Sequence, residues 1–412
     1  MKTDSVTLSA RALLGARAML MSLATFFGSG KRDVGAEGAD ILLTGTFHSG
    51  SWIRSHLEPL TLSGGCRRVR VVTHFPLPPL DKVEAIVPGP RLSRLLGEVP
   101  ARLLTFFRVA LRSRPHAVGG FHLLVNGLAA SLIARASGAR SIYFCVGGPA
   151  EVRGGGVLSE NRLFGRLPAP DARVESALLR AVSEFDLVVT MGSRAMEFFR
   201  ENGVTGDIRV IPGGVDAPCG NSDNGAPPWD VVFVGRLVPI KEIDLLLRAL
   251  WLVRKRIPGV RAVIVGDGPL RGELEAAAEA LGLGDAVEFA GQRDDVPAIL
   301  GRSKVFALTS ATEGLSLALM EAMAAGLPAV VPDVGDLGDL VRDGENGFLV
   351  GERTPESFAA RIAAILEDAA LRRRLSGAAR SAMERYGTPC AARQWDSVLA
   401  SWGEGRGGRC AG

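Results

Sequence analysis

The chain has 412 residues, 47% of them hydrophobic, with a formal net charge of +4, enough material for two buried cores and more than one ordinary domain holds. Its five cysteines, at positions 66, 145, 219, 390 and 410, form no Cys-x-x-Cys pair and no Cys/His cluster, which argues against a structural zinc or a disulfide framework and fits a reducing, cytoplasmic setting. No apolar run approaches the roughly twenty residues of a membrane-crossing helix, and an aromatic content of 6% without any recognisable module speaks against nucleic-acid binding.

Residues 1–34 read as an N-terminal extension, helical and loosely held. Within it Ala18–Phe27 has the apolar look of a signal core, but it is short and no small-residue cleavage site follows. From residue 35 short apolar runs alternate with helical stretches, and strands are expected at Ile41–Leu43, Val69–Thr73, Ala117–Phe121, Ser141–Val146, Leu187–Thr190 and Ile208–Ile211. Three of these runs end in polar or glycine-rich loops: Thr44 to Ser51, Gly120-Phe121-His122, and Cys145 to Glu151. Ligands collect at the carboxyl ends of parallel strands, so Gly45, His48, His122, Gly147 and Gly148 are candidates there. His48 and Glu151 read as loop residues rather than catalytic ones. The stretch Arg91–Arg114 sets Leu95-Leu96, Leu103-Leu104 and Phe106-Phe107 among arginines. It reads either as an ordinary amphipathic helix on the sheet or as a helix at an anionic interface.

Residues 218–229, rich in Pro, Gly, Asn and Ser and without periodicity, form a linker between a domain of residues 35–217 and one of 230–387. Beyond it strands are expected at Val231–Val234, Arg261–Val265, Val287–Ala290, Val305–Leu308, Ala329–Val331 and Gly347–Val350. Such alternation implies an α/β fold of two doubly wound parallel sheets. The first of these strands ends in Gly235-Arg236, and Lys241 follows at the start of a helix over Ile243–Arg256. A cation pair at that end of a parallel strand suits a diphosphate: arginine supplies a fork of donors and lysine a point charge. With six lysines in the chain against forty-two arginines, this lysine stands out.

Glu313 and Glu321 bracket the run Glu-Gly-Leu-Ser-Leu-Ala-Leu-Met-Glu, at and beyond a strand-to-helix junction. In isolation two such glutamates are an ordinary solvated face. Here their neighbours are apolar, and an unpaired charge in such a segment is costly. On a helix of about 1.5 Å rise per residue, the pair would lie roughly 12 Å apart along the axis. That span suits a ligand held at both ends with an anionic middle near the helix N-terminus, as in a nucleotide-sugar.

Gly235-Arg236-Leu237 with Lys241, then Val265-Gly266-Asp267-Gly268-Pro269-Leu270, then Glu313 to Glu321, then Ala325-Gly326-Leu327-Pro328, resemble in order and spacing the donor-binding half of family 4 (group 1) retaining glycosyltransferases of the GT-B fold. The resemblance covers residues 230 to about 366. It implies two Rossmann-like domains facing a cleft, with residues 388–412 forming a helix and tail that cross back toward the first domain. It also implies that Arg236 and Lys241 bind the donor diphosphate, with backbone groups of Gly314, Leu315 and Ser316 lining it. Glu313 would touch the donor sugar as a catalytic group, Glu321 would bind the ribose hydroxyls, and Gln292 and Arg293 would approach the base. His122 resembles a family histidine near the donor sugar; a satisfied structural histidine is the alternative. The loops carrying Gly45, His48, Gly147 and Gly148 would then face the acceptor. In place of the family's Gly-Gly followed by Glu, this chain has Gly335-Asp336 and then Asp339, which puts the local contacts there in doubt.

Residues 1–220 carry 26 basic and 18 acidic side chains, and the remainder 22 and 26. A basic acceptor half suits a glycan or lipid-linked acceptor and peripheral contact with the inner, anionic face of a membrane. No Asp-x-Asp occurs, so no cofactor and no metal are expected: Arg236, Lys241 and a helix N-terminus would neutralise the leaving diphosphate. The expected reaction is transfer of a hexose-type sugar from a nucleotide-diphosphate sugar with retention of configuration, in polysaccharide or glycolipid biosynthesis. The alternatives are a GT-B-fold epimerase or phosphorylase and a catalytically silent sugar-nucleotide-binding protein. A dehydrogenase reading of Gly266 to Arg271 fails because Arg271 stands where the third glycine of the dinucleotide fingerprint belongs.

Overall fold

The computed structural model describes residues 5–24, 31–47, 49–75, 77–159, 161, 164–217 and 228–403. The chain divides into two compact units, Met1–Gly214 with Thr388–Gly412, and Val215–Gly387.

The first unit begins with helix α1 (Ser5–Ala24) and continues β1 (Ala39–Thr44), α2 (Gly50–Leu62), β2 (Cys66–Val72), β3 (Val83–Ile86), α3 (Pro90–Leu96), α4 (Glu98–Ser113), β4 (Ala117–Phe121), α5 (Leu128–Ser137), β5 (Arg140–Cys145), α6 (Ala172–Ser183), β6 (Leu187–Thr190), α7 (Ser193–Glu201) and β7 (Ile208–Val210). The strands form one seven-stranded parallel sheet in the order β3-β2-β1-β4-β5-β6-β7. Strands β1, β4 and β6 are buried at every position, which is why they read as unbroken apolar runs: helices cover both faces of a parallel sheet. Strand β3, Val-Glu-Ala-Ile, was not foreseen. It is an edge strand whose residues are all at least partly exposed, so its sequence carries no apolar run.

Helix α1 corrects the expectation of a loosely held extension. It packs on α5 and α6 through Ala10, Leu14 and Met21, which are all buried. Arg17, 6% exposed, donates to Ser131 Oγ at 2.9 Å and to Glu184 at 2.8 Å, and Arg11 pairs with Asp171 at 2.6 Å. Burial of one helix face plus two ion pairs fixes the segment. The stretch with the look of a signal core is partly this helix: Ala18–Ala24 complete α1, and residues 25–27 lie outside the described residues.

The second unit runs β8 (Trp229–Val234), α8 (Ile243–Arg256), β9 (Ala262–Val265), α9 (Arg271–Ala280), β10 (Val287–Gly291), α10 (Val296–Gly301), β11 (Ser303–Ala307), α11 (Leu317–Ala324), β12 (Ala329–Pro332), α12 (Leu337–Leu340), β13 (Gly347–Val350), α13 (Pro355–Glu367) and α14 (Ala369–Met383). Its six-stranded parallel sheet has the order β10-β9-β8-β11-β12-β13. Helix α8 buries Leu246, Leu247, Leu250 and Val253, the stripe of a helix lying on a sheet, and ends in Arg254-Lys255-Arg256, where cations complement the helix dipole. Of the segment expected as a linker, residues 218–227 lie outside the described residues and Trp229 already pairs in β8.

The last helix, α15 (Thr388–Ser401), belongs to the first unit and packs on α2. Asp396 accepts from Ser63 Oγ at 2.7 Å and from the Gly64 N–H at 2.8 Å. Trp395, 2% exposed, lies 5.9 Å from the ring of Phe144 on β5. Both sheets place a topological switch point beside their first strand, between β1 and β4 and between β8 and β11, and such points are where open α/β sheets bind ligands.

Replacing Trp395 with alanine is expected to destabilise the first unit by about 3–5 kcal/mol, the usual range for emptying a buried aromatic site. Urea unfolding followed by far-UV circular dichroism checks this; an unchanged midpoint would show that α15 adds nothing to that unit.

Candidate functional site

In the second unit the switch point is stitched together by the backbone. After β8 the chain passes Gly235 and the half-buried Arg236, makes a single 3-10 turn over Pro239–Lys241, and enters α8 through Glu242 at φ 43°. After β11 it runs directly alongside. Thr309 Oγ1 donates to the carbonyls of Lys241 and Glu242 at 3.1 and 2.9 Å, and the Ala311 N–H donates to the Ile240 carbonyl at 2.8 Å. These bonds bring the two charged motifs together: Lys241 Nζ lies 2.5 Å from Glu313 Oε1, with side chains 16% and 10% exposed. Ser310 Oγ donates to the same carboxylate oxygen at 2.6 Å.

Glu313 lies at the strand-to-helix junction, as expected, but helix α11 begins only at Leu317, so the expected axial spacing of roughly 12 Å is corrected. Glu313 sits in the preceding turn, and the axial spacing of a continuous helix does not apply. The turn is held by close backbone approach: Gly335, at φ 53°, has no room for a side chain, because a Cβ there would lie 1.8 Å from the Glu313 carbonyl oxygen. Asp336 N–H donates to the Gly314 carbonyl at 3.3 Å. The departure Gly335-Asp336 therefore keeps a contact with the Glu313 turn. Ser316 caps α11, its hydroxyl accepting from the Leu319 N–H at 3.4 Å. Among the described residues no acceptor pairs with the backbone N–H of Gly314, Leu315 or Ser316. Three such donors beside Lys241 and before a helix N-terminus are an arrangement that suits an anion.

Glu321 is half-buried on α11. Gln292 and Arg293 lie exposed after β10, two strands from β8 at the sheet edge, and Arg293 forms a bidentate pair with Asp295 at 2.7 Å. The structure thus brings Lys241, Glu313 and the Gly314–Ser316 turn together, and leaves Gln292 and Arg293 apart from them at the same end of the sheet.

In the first unit β4 is followed by His122 at φ 63°, a backbone conformation that non-glycine residues rarely adopt. The tight turn that follows is closed by the Gly127 N–H on the His122 carbonyl at 2.9 Å. His122 Nδ1 lies 3.1 Å from Glu151 Oε1, and the ring remains 35% exposed. Glu151 lies in the loop after β5, as expected, but it is not solvated. It is 4% exposed and accepts from the N–H groups of Leu123 and Gly147, both at 2.6 Å, and from Tyr143 Oη at 3.0 Å. Burial by itself raises a carboxyl pKa, but the charge and hydrogen bond of His122 and the two backbone donors outweigh it, and Glu151 lies below its ordinary value. An ionised carboxylate only accepts, so the proton of the shared bond belongs to His122 Nδ1. Burial and the neighbouring Cys145 and Glu151 push the Tyr143 hydroxyl well above its usual range. One signal for this role is present in the chain: Glu151 follows the glycine pair by three residues, and a Cβ at Gly147 would lie 2.9 Å from the Glu151 side chain.

Gly45 lies across the switch point, its carbonyl accepting from the buried Arg102, whose other terminal nitrogen donates to Asn126 Oδ1 at 2.7 Å. Burial lowers Arg102 to about 10. Beside the loop, His56 stacks on Trp52 at 4.1 Å, and burial holds it at about 4, hence neutral. Gly148, at φ 65°, opens the 3-10 turn that carries Glu151. His48 lies outside the described residues.

Residues 222–382 match the family model described as "Glycosyl transferases group 1". The matched stretch makes up most of the second unit. The chain is also similar to curated glycosyltransferases. One is the D-inositol 3-phosphate glycosyltransferase of Salinispora tropica, 37% identical over 37% of this chain and 34% of its own length. Another is the GDP-mannose-dependent alpha-(1-6)-phosphatidylinositol monomannoside mannosyltransferase of Mycobacterium tuberculosis, 31% identical over 47% of this chain and 56% of its own. The chain spans from 18% to 62% of the length of the relatives it matches. Across both units the chain superposes on Anabaena HepE, solved with UDP and glucose, with a TM-score of 0.67 at 20% identity, covering 88% of this chain and 100% of that one. That likeness shows the fold, GT-B, with its two doubly wound sheets.

Replacing Glu151 with alanine strips the acceptor from two backbone N–H groups, the Tyr143 hydroxyl and His122 Nδ1. His122 and Gly147 are partly exposed, so at about 1–3 kcal/mol for each of the two buried groups left unsatisfied the first unit is expected to lose about 2–6 kcal/mol. Glu151→Gln, which keeps an acceptor oxygen, should lose roughly half of that. Equal stability of all three proteins in chemical unfolding would contradict the assignment.

Proposed function

We propose that the protein is a retaining, metal-independent glycosyltransferase that moves a hexose-type sugar from a nucleotide-diphosphate sugar to a glycan or lipid-linked acceptor. The observation that carries this reading is the contact of Lys241 with Glu313 beside the N–H groups of Gly314, Leu315 and Ser316, which have no acceptor among the described residues. A diphosphate placed there meets one ammonium, the half-buried Arg236 and a helix N-terminus, which together offset its charge as it departs. Glu313, already oriented by Lys241 and Ser310, supports the sugar electrostatically and forms no covalent intermediate. Attack then comes from the same face as the departing phosphate, which requires no carboxylate nucleophile. Glu321 takes the ribose hydroxyls, and Gln292 and Arg293 lie toward the base. His122, its Nδ1 proton held by Glu151, presents Nε2 to the donor sugar. Gly45, Gly147, Gly148 and His48 belong to the acceptor side.

The family of residues 222–382 and the sugar-nucleotide relatives support this reading. A cytoplasmic protein in peripheral contact with an anionic membrane face fits the basic first half, and α3 is in keeping with it: that helix buries none of its residues, and Leu95 is 80% exposed.

Calorimetric titration of UDP, GDP and ADP into wild type and Glu321→Ala tests the donor site. One diphosphate should bind the wild type selectively, and the mutant should bind it at least about tenfold more weakly, in line with loss of a charge-assisted hydrogen bond of about 1.5–3 kcal/mol. Equal binding by the mutant would remove the ribose from Glu321.

A further inference from the structure

On the face of the first unit remote in sequence from the donor motifs, α1, α5 and α6 enclose a groove of about 790 Å³. Its floor is apolar, formed by Leu14, Met21, Val174 and Ala181, and its walls carry Arg11, Arg17, Arg135, Arg173 and Arg180 against one carboxylate, Glu184. Arg17 is committed to Glu184 and Arg11 to Asp171. Among the described residues Arg135, Arg173 and Arg180 have no ion-pair partner, and the Nε atoms of Arg11 and the deeply buried Arg17 are sequestered without a hydrogen-bond acceptor. A groove of this size with convergent cations and orphaned donors calls for an anion.

The surroundings say which kind. The outward side of α1 exposes Leu8, Leu13, Met19 and Leu20, at 56%, 42%, 63% and 49%, and the helix has no acidic residue and no lysine. An apolar surface next to an arginine-lined groove matches a molecule with an anionic head and a hydrocarbon tail; a soluble polyanion has no use for the leucines.

We propose that this groove is a binding site for the phosphate headgroup of an anionic phospholipid, with the outer face of α1 lying in the acyl boundary of the membrane. The proposal rests on the membrane clause of the preceding section and locates the contact; it is independent of the donor assignment.

Co-sedimentation of the full chain with vesicles of phosphatidylcholine alone, and of phosphatidylcholine with phosphatidylglycerol, tests it. The wild type should bind only the anionic vesicles. The variant Arg135→Gln/Arg173→Gln/Arg180→Gln, all three being exposed side chains, should bind them roughly a hundredfold more weakly, about fivefold for each cation near an anionic surface. The variant Leu8→Ser/Met19→Ser should also weaken vesicle binding. If the arginine variant binds as tightly as the wild type, the groove is not the site although the membrane reading stands. If the wild type binds neither vesicle, both fall. Displacement by inorganic phosphate at matched ionic strength would make the ligand a free anion. Arginine-dependent binding of a single-stranded oligonucleotide that matches the vesicles in tightness and survives the serine variant would make it a polyanion. Either result overturns the lipid assignment.

Discussion

One contact organises the second unit: Lys241 Nζ against Glu313 Oε1, 2.5 Å apart and largely shielded from water. Each charge alone in that setting would cost several kcal/mol, and removing one partner of such a pair leaves the other uncompensated. The backbone is arranged to make the contact unavoidable. Thr309 and Ala311 tie the segment after β11 to the turn before α8, Glu242 accepts a left-handed backbone, and Gly335 lets the chain pass against the Glu313 carbonyl. Under the proposed function the pair has a second consequence. A diphosphate approaching Lys241 shares the ammonium with Glu313, so that carboxylate is positioned beside the sugar by the same interaction that holds the leaving group.

The first unit solves a related problem with a different device. Glu151 is deeply buried, yet it stays ionised because four donors converge on it, and those donors come from three separate segments: the His122–Leu123 turn, β5 through Tyr143, and the Gly147 turn. One carboxylate therefore fixes the shape of two loops at the carboxyl ends of neighbouring strands. The strained φ of His122 is affordable because its ring nitrogen and the next residue's N–H both end on that carboxylate. A buried charge with this many partners specifies geometry more than it adds stability.

Much of the fold was legible because parallel sheets bury both faces. Twelve strands announced themselves as apolar runs, and the helix expected over Ile243–Arg256 is α8, with a buried leucine stripe and a cationic end. Strand β3 escaped because Glu84 and its neighbours are exposed at the sheet edge. Helix α1 was read as loosely held because its anchors, Arg11 with Asp171 and Arg17 with Glu184, lie more than 150 positions apart in sequence, and no local pattern reveals such a pair. At the site, residue types and spacing pointed to Lys241 and Glu313 together. They placed Glu313 at the strand-to-helix junction but did not show that α11 waits for the Ser316 cap, so the axial spacing of the two glutamates was not legible. Glu151 was underrated for a similar reason: a glutamate in a Gly-Gly-Pro-Ala turn looks solvated, and only the tertiary arrangement of Leu123, Tyr143 and Gly147 buries it.

The most direct test of the account is sugar transfer from the selected nucleotide-sugar by Lys241→Ala and Glu313→Gln, measured beside diphosphate binding in the same proteins. The account predicts that Lys241→Ala loses both binding and transfer, whereas Glu313→Gln keeps diphosphate binding within a few-fold and loses transfer by at least about a hundredfold, as when an electrostatic partner of a transition state is removed. Full transfer by Glu313→Gln, or a trapped glycosyl adduct on Glu313 in the wild type, would contradict it.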